Sequence, residues 1–417
     1  MTFDRRRVRA WTMLGVALVV LAAPATSRTT TNVGDPPADS AVAAIGKKIF
    51  FDSTLSASGR LSCARCHDPD HAYGPANDLS VQRGGPALDR QGVRAAPSLR
   101  YVLNRTPRYY EEYVSNIAER LREGSEAPAG GFGDDGRFGS LHEQAAFPLL
   151  ASNEMANASP VDVVTKLRRA AYGADFRRVF GADVFDLPSR AFARALYAIE
   201  RFELTDYSFH PYDSKFDLYL DGNVELTQKE QRGRALFDDP RRGNCASCHV
   251  SEMGANGSHP LFTDFQFEAL GVPRNAEIAA NRDSTYFDEG LCGPARRDLA
   301  SQRELCGMFK TPSLRNVATR GALFHNGRFH TLRDALRFYV DRDSHPEKWY
   351  PRSHTGVDRF DDLPAGLRSN VDTIDLPLAR RRGQPPLWSE AEIDDVIAFL
   401  ETLNDGYRAA DRTQSPH

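Results

Sequence analysis

Apolar positions along this chain recur at helical rather than strand spacing, and they do so in two similar sets. Residues 46–52 read "GKKIFFD" and residues 233–238 read "GRALFD", each a short loop ahead of a cysteine pair. A second pair of runs closes the two halves: "AIERFELT" from Ala198 and "VIAFLETL" from Val396. In the latter, Ile393, Val396, Ile397, Leu400 and Leu403 share one stripe, with Ser389 and Glu392 forming a capping box ahead of it. No stretch alternates long enough for a sizeable sheet, so the pattern predicts a mainly α fold with an opening and a closing helix in each half. The boundary falls in "DYSFHPYDSKFD", residues 206–217, where Pro211 and clustered polar residues interrupt the period. The expected domains are residues 40–210 and 218–406. Residues 283–386 hold many Pro, Gly and Asp and only short apolar runs, which predicts long loops rather than a third core.

The first residues depart from this pattern. A basic run from Arg5 to Arg9, an apolar run from Trp11 to Ala23 and small residues from Ala25 to Ser27 give residues 1–27 the three-part layout of a Sec-type signal peptide. The apolar run is shorter than the roughly 20 residues a membrane anchor needs, and no later stretch is apolar enough to span. The expectation is export to the periplasm. With 53 basic and 56 acidic residues the chain has a net charge of -3 and no electrostatic footprint for nucleic acid, so proteins or small molecules are the expected partners. The six cysteines fall into three pairs. Export permits disulfides, so Cys292 and Cys306 are expected to be bridged across "CGPARRDLASQRELC", the competing reading being two free thiols.

The other two pairs carry the chemistry. "CARCH", from Cys63 and Cys66 to His67, and "CASCH", from Cys245 and Cys248 to His249, both follow C-x-x-C-H. Two thiols at this spacing add across the vinyl groups of haem, and the adjacent imidazole is then held where it can ligate iron. A closed zinc site needs a fuller set of ligands, and a redox dithiol needs no histidine. The motifs therefore imply two covalently bound haem c groups, with His67 and His249 as metal ligands.

Taken together, "GKKIFFDSTLSASGRLSCARCHD", "DDGRFGSLHEQAAFPLLASNEMAN", "GNCASCH" and "FKTPSLRNVATRGALFHNGRFHTL" resemble the bacterial dihaem cytochrome c peroxidase and MauG family over residues 40–406. The resemblance implies two cytochrome c-like domains, with hydrogen peroxide reacting at the N-terminal haem. It implies that Gln144, Pro148 and Glu154 furnish the peroxide pocket: Glu154 as the acid-base group of O–O cleavage, Gln144 orienting the peroxide, Pro148 crowding the sixth position. His142 is expected outside the pocket, because two helical positions turn it about 200° from Gln144. His71 reads as a loop histidine.

Members that need reductive activation carry a distal histidine after the first motif; "VQRGGPALDRQGVRAAPSL" has none, which implies a five-coordinate first haem. At the second haem the resemblance implies Tyr339 as distal ligand, fourteen positions beyond His325, with Met253 and Met308 as rivals. A phenolate is a hard anionic donor that favours oxidised iron. His325 is expected to support the haem edge or propionates. The chain departs from the family at Asp134, which stands where a tryptophan lies between the haems, leaving Tyr109 or Tyr110 as an alternative bridge, and at Ala95, which stands where an asparagine serves an interdomain calcium. Arg320 and Ala322 also alter the usual carbonyl donors, which argues against that ion. The segments around Cys292, Tyr339 and Asp361 look most like the MbnH relatives of MauG. The implied function is a peroxide-driven dihaem enzyme that forms a high-valent state and oxidises an aromatic residue of a partner protein. The alternatives are a cytochrome c peroxidase fed by a small cytochrome or cupredoxin, and a dihaem electron carrier.

Overall fold

The structure is a computed structural model that describes residues 39–101, 105–113, 127–354 and 356–408. The leader-like residues 1–27 lie outside these. Pro37–His417 form one compact unit. Its helices are α1 (Asp39–Phe51), the single turn α2 (Cys63–Cys66), α3 (Leu141–Leu150), α4 (Pro160–Arg169), α5 (Gly173–Phe180), α6 (Pro188–Thr205), α7 (Lys215–Leu220), α8 (Gln228–Asp238), α9 (Leu332–Asp341) and α10 (Glu390–Glu401). Strands form only two-stranded antiparallel ladders among the described residues: β1 (Arg83–Gly84) with β2 (Arg90–Gln91), β3 (Tyr110–Tyr113) with β4 (Ala127–Ala129), β5 (Phe267–Glu268) with β6 (Phe309–Lys310), and β7 (Arg352–Ser353) with β8 (Gly356–Val357). The mainly helical expectation holds. No described helix is long and apolar enough to cross a membrane.

Each half is built on one helix crossing, and the two crossings match residue for residue. A Cβ placed on Gly46 of α1 would lie 1.8 Å from the Ala198 carbonyl oxygen of α6; one on Gly233 of α8 would lie 1.9 Å from that of Asp395 on α10. Only glycine lets the backbones approach so closely. One turn on, Phe50 meets Phe202 edge to face at 5.5 Å, and Phe237 meets Phe399 in the same way at 5.3 Å. Such pairs contribute roughly 0.5–1.5 kcal/mol beyond their buried area. Around these crossings lie separate apolar cores, one from Val42 to Ile199 and one from Phe216 to Leu403.

Within residues 206–217, where the boundary is expected, Phe209 and Phe216 are buried, and α7 begins with a capping box between Ser214 and Asp217. The periodicity is lost there because the helices are short. Residues 283–386 are not loops alone, because Phe329, Ala335, Phe338, Tyr350, Phe360, Leu363 and Val371 pack with Val272 into a third apolar cluster around α9. Its members come from scattered short runs, which leave no periodic signal. The Cys292–Cys306 disulfide is present, with Cα atoms 5.0 Å apart.

Replacing Gly46 or Gly233 by Ala is expected to lower the melting temperature of the holoprotein, each costing about 3 kcal/mol, the upper end of overpacking penalties. Gly366→Ala, where a Cβ meets only a side-chain nitrogen at 3.6 Å, serves as the control. Unchanged melting in the first two would show that the crossings tolerate separation.

Candidate haem sites and peroxide pocket

The two thiol–histidine motifs fold alike. The His67 N–H donates to the Cys63 carbonyl at 2.9 Å, and the His249 N–H to that of Cys245 at 2.8 Å. Each imidazole Nδ1 is then held by carbonyl oxygens: Tyr73 and Pro97 for His67, both at 3.1 Å, and Phe262 at 2.9 Å for His249, which also meets Pro312. With Nδ1–H donating, Nε2 keeps its lone pair for a metal, the arrangement that fixes the tautomer of ligand histidines. Burial holds both imidazoles down at about 4, with Arg320 pressing the same way on His67, so both are neutral at pH 7.

The acceptors repeat too: Tyr73 and Phe262 both have φ +54°, a left-handed backbone that turns the carbonyl inward. Behind them, Ser98 donates to the Ala72 carbonyl and Ser313 to that of Leu261. The supporting stretches are "PSLR" at residues 97–100 and again at 312–315, a repeat that comparison of the two halves would have found.

These sites fit covalently held haem. Cys63, Cys66, Cys245 and Cys248 are all free of disulfides. Burial pushes their thiols up, to about 12 for Cys63, Cys245 and Cys248 and about 11 for Cys66. As thioethers these sulfurs would not titrate, so the shift reports only how dry their surroundings are. The motif residues lie deep in the fold yet keep accessible surface, as do Glu154 and Tyr339, so they line internal space.

On the first site, Gln144 and Pro148 stand one turn apart on one face of α3, while His142 points outward and its Nδ1 pairs with Glu200 at 2.6 Å. Pro148 lacks the N–H that would bond the Gln144 carbonyl, and α3 ends two residues later. The chain folds straight back, with the Met155 N–H donating to the Pro148 carbonyl at 3.0 Å, which brings Glu154 beside α3. The β1–β2 hairpin clamps this turn: the Gly85 N–H donates to the Glu154 carbonyl at 2.7 Å, and Arg90 holds that of Ser152. That hairpin occupies the stretch that lacks a histidine. Burial raises the Glu154 carboxyl to about 7 against the pull of Arg137, and its charge is felt at Cys66 and Cys63. A carboxyl poised there populates both its acid and its base form at neutral pH.

The second site differs. Tyr339 lies on α9 with its ring 5.5 Å from Phe324; burial and then the charges of Cys248 and Cys245 push its phenol up, which places it beside the second thiol pair. Met253 is exposed and Met308 packs in the cluster of Tyr109 and Phe267, so neither shares this position. His325 stacks on Phe309, rings 3.5 Å apart and 7° from parallel; among the described residues its buried Nε2 has no hydrogen-bond partner, the Asp362 carboxylate being 3.6 Å away. Asp134 is buried, its carboxyl raised by desolvation against the pull of Arg94. Tyr110 is half exposed and does not join the interior, whereas Tyr109 packs on Phe267 beneath the Arg296 guanidinium.

Three charged residues carry no sign of their placement in the sequence. Glu268, raised to about 7 by burial, acts on Cys248 and Tyr339; only the β5–β6 pairing puts it there. Lys310, opposite Phe267 on β6, is lowered to about 8 by burial and donates to the Gly131 carbonyl. Glu203 on α6, read only as part of a closing helix, is buried beside Cys63 and raised to about 8 by burial, then by Glu200.

If Glu154 takes the peroxide proton, the bimolecular rate of the ferric holoprotein with hydrogen peroxide rises with pH through about 7, because the base form does the work. Stopped-flow mixing of Glu154→Gln should show that step gone and the rate down roughly 10²–10⁴-fold, with Glu203→Gln keeping the step. Loss of the step in Glu203→Gln instead would move the role to that residue.

The family model described as di-haem cytochrome c peroxidase matches residues 40–225. The methylamine utilization protein MauG of Paracoccus denitrificans is 33% identical over 380 residues, covering 88% of this chain and 90% of that protein. The crystal structure of the diheme peroxidase BthA from Burkholderia thailandensis superposes with a TM-score of 0.77 at 39% identity, over 88% of this chain and 86% of that one. A MauG-like protein associated with microbial copper homeostasis superposes at 0.60 and 22% identity, over 92% of this chain and 96% of that one, a likeness of fold alone. Similarity along almost the whole length, on a fold that builds two histidine sites for haem, makes this chain a member of the dihaem cytochrome c peroxidase and MauG family.

Proposed function

We propose that this protein uses hydrogen peroxide to oxidise an aromatic residue, tryptophan foremost, on a partner protein exported to the same compartment, the periplasm. Two haem c groups, when bound, supply the iron at which peroxide is reduced and the oxidising equivalents are kept. The work of the chain is then to move protons and exclude water. Glu154 takes a proton from one peroxide oxygen and returns it to the departing one, while Gln144 orients the peroxide and Pro148 narrows the space above His67. In the second half His249 and Tyr339 would hold the other haem, Tyr339 supplying a phenol oxygen as ligand. The domains take the limits 40–210 and 218–406, the first housing the peroxide site.

The observation that carries this reading is Tyr339, deep in the fold beside Cys248 and Cys245. A hard anionic donor suits a site that keeps an oxidising equivalent rather than one that passes electrons inward. Such a site draws electrons through the protein from a substrate too large for the pocket. The segments that look like MbnH make a copper-handling protein the first candidate partner. The reading of simple peroxide removal is favoured by the apolar edge at Val250 and Met253, exposed beside the second motif, where a small cytochrome or cupredoxin could dock.

To separate the two, the holoprotein and hydrogen peroxide are incubated with the exported-protein fraction of the source cells, and peptides are searched by mass spectrometry for oxidised Trp and Tyr. The expected result is peroxide-dependent modification concentrated on one protein and lost with Tyr339→Met. Rapid peroxide consumption with a reduced small cytochrome or cupredoxin, and no modified residue, would contradict it.

A further inference from the structure

The stretch Arg94–Pro97 runs between the two halves and is held at every residue. The Arg94 guanidinium pairs with Asp288 at 2.7 and 2.8 Å and with Asp135 at 2.8 Å. The Ala95 N–H donates to the His325 carbonyl at 2.8 Å, the Ala96 carbonyl accepts from Nη2 of Arg320, and the Pro97 carbonyl accepts from His67. Four consecutive residues thus tie the second half to the ligand of the first haem site.

Arg320 is the unusual member. Its Nη1 is buried without a hydrogen-bond partner among the described residues, and its one side-chain hydrogen bond goes to a neutral carbonyl. Burial lowers it to about 10, against the pull of Asp134, so it remains charged at pH 7. A buried charge without an ion-pair partner among the described residues is costly, so the fold must supply a reason for it. Gly74 makes room: a Cβ there would lie 2.4 Å from Nη1.

The family resemblance gives this region to a calcium ion, and the residues here do not fit one. Calcium takes six to eight oxygen ligands. Ala95 has no side-chain oxygen, the Ala96 carbonyl is already taken, and a guanidinium in the same space repels a divalent cation. We infer that Arg320 is a built-in cation that stands in for calcium between the halves, positioning Ala96 and Pro97 and setting the reduction potential of the site at His67. A fixed positive charge close to a ligand histidine favours the reduced, less positive form of the metal site, so it raises that potential. The field of Arg320 reaches His67.

The test combines a chelator with three variants of the holoprotein, read by redox titration and thermal melting. Wild-type potentials and melting temperature are expected to be the same after EGTA treatment and after added calcium. Arg320→Gln should shift the haem on His67 to lower potential while the other haem moves less, and Arg320→Lys should keep the wild-type value. Millimolar guanidinium should restore part of the loss in Arg320→Ala. A wild-type protein that loses melting temperature or potential with EGTA and regains it with calcium would overturn the inference. So would an Arg320→Gln variant with unchanged potentials. If the variants fail to assemble, the chelator result on the wild type still decides.

Discussion

Two backbone contacts, Gly46 on Ala198 and Gly233 on Asp395, fix the rest of the molecule. Each brings an opening and a closing helix closer than any side chain would allow, and each seats an edge-to-face phenylalanine pair one turn on. The cysteine motif follows the opening helix by a short loop, so the crossing decides where the thiols and the histidine point. Left-handed carbonyls at Tyr73 and Phe262 then orient the imidazoles. The duplicated scaffold therefore holds two histidines in the same way, without specifying any difference between them.

The difference comes from the titratable group each half buries near its cysteine pair. In the first half a proline ends α3 early and the returning turn lays a buried carboxyl, Glu154, beside it. In the second half α9 presents a tyrosine. Both are pushed toward their neutral forms by burial, but the outcomes diverge: a carboxyl near 7 populates both protonation states at neutral pH, whereas a phenol raised out of reach ionises only against a strong positive charge such as a metal. In the proposed function the first does the acid-base work and the second supplies an anionic ligand. Asp134 interacts with the charges of Arg94, Lys310 and Arg320, so its position supplies a carboxyl among cations rather than an aromatic ring.

Much of this was legible in the sequence because it is local. The motif histidines, the helix stripes with their capping box at Ser389, the Cys292–Cys306 pair and the outward face of His142 depend on spacings of a few residues. What escaped depends on distant pairings. Glu268 and Lys310 reach the interior only because β5 and β6 pair across more than forty residues of chain. The cluster around Phe338 is assembled from short runs with no common period. Arg320 looked like a lost carbonyl donor, and its side chain became meaningful only once Gly74 and Ala96 were seen around it. The "PSLR" repeat is equally local, and it marks the stretches that support the two histidines.

The claim on which the account turns is that the first site is open to peroxide in the fully oxidised protein and shares its oxidising equivalents with the second. The direct measurement is rapid freeze-quench EPR, with parallel optical spectra, after mixing all-ferric holoprotein with stoichiometric hydrogen peroxide and no reductant. The account predicts prompt, joint loss of the ferric signals of both haems, followed by their slow return. A protein that stays ferric until one haem has first been reduced would contradict it.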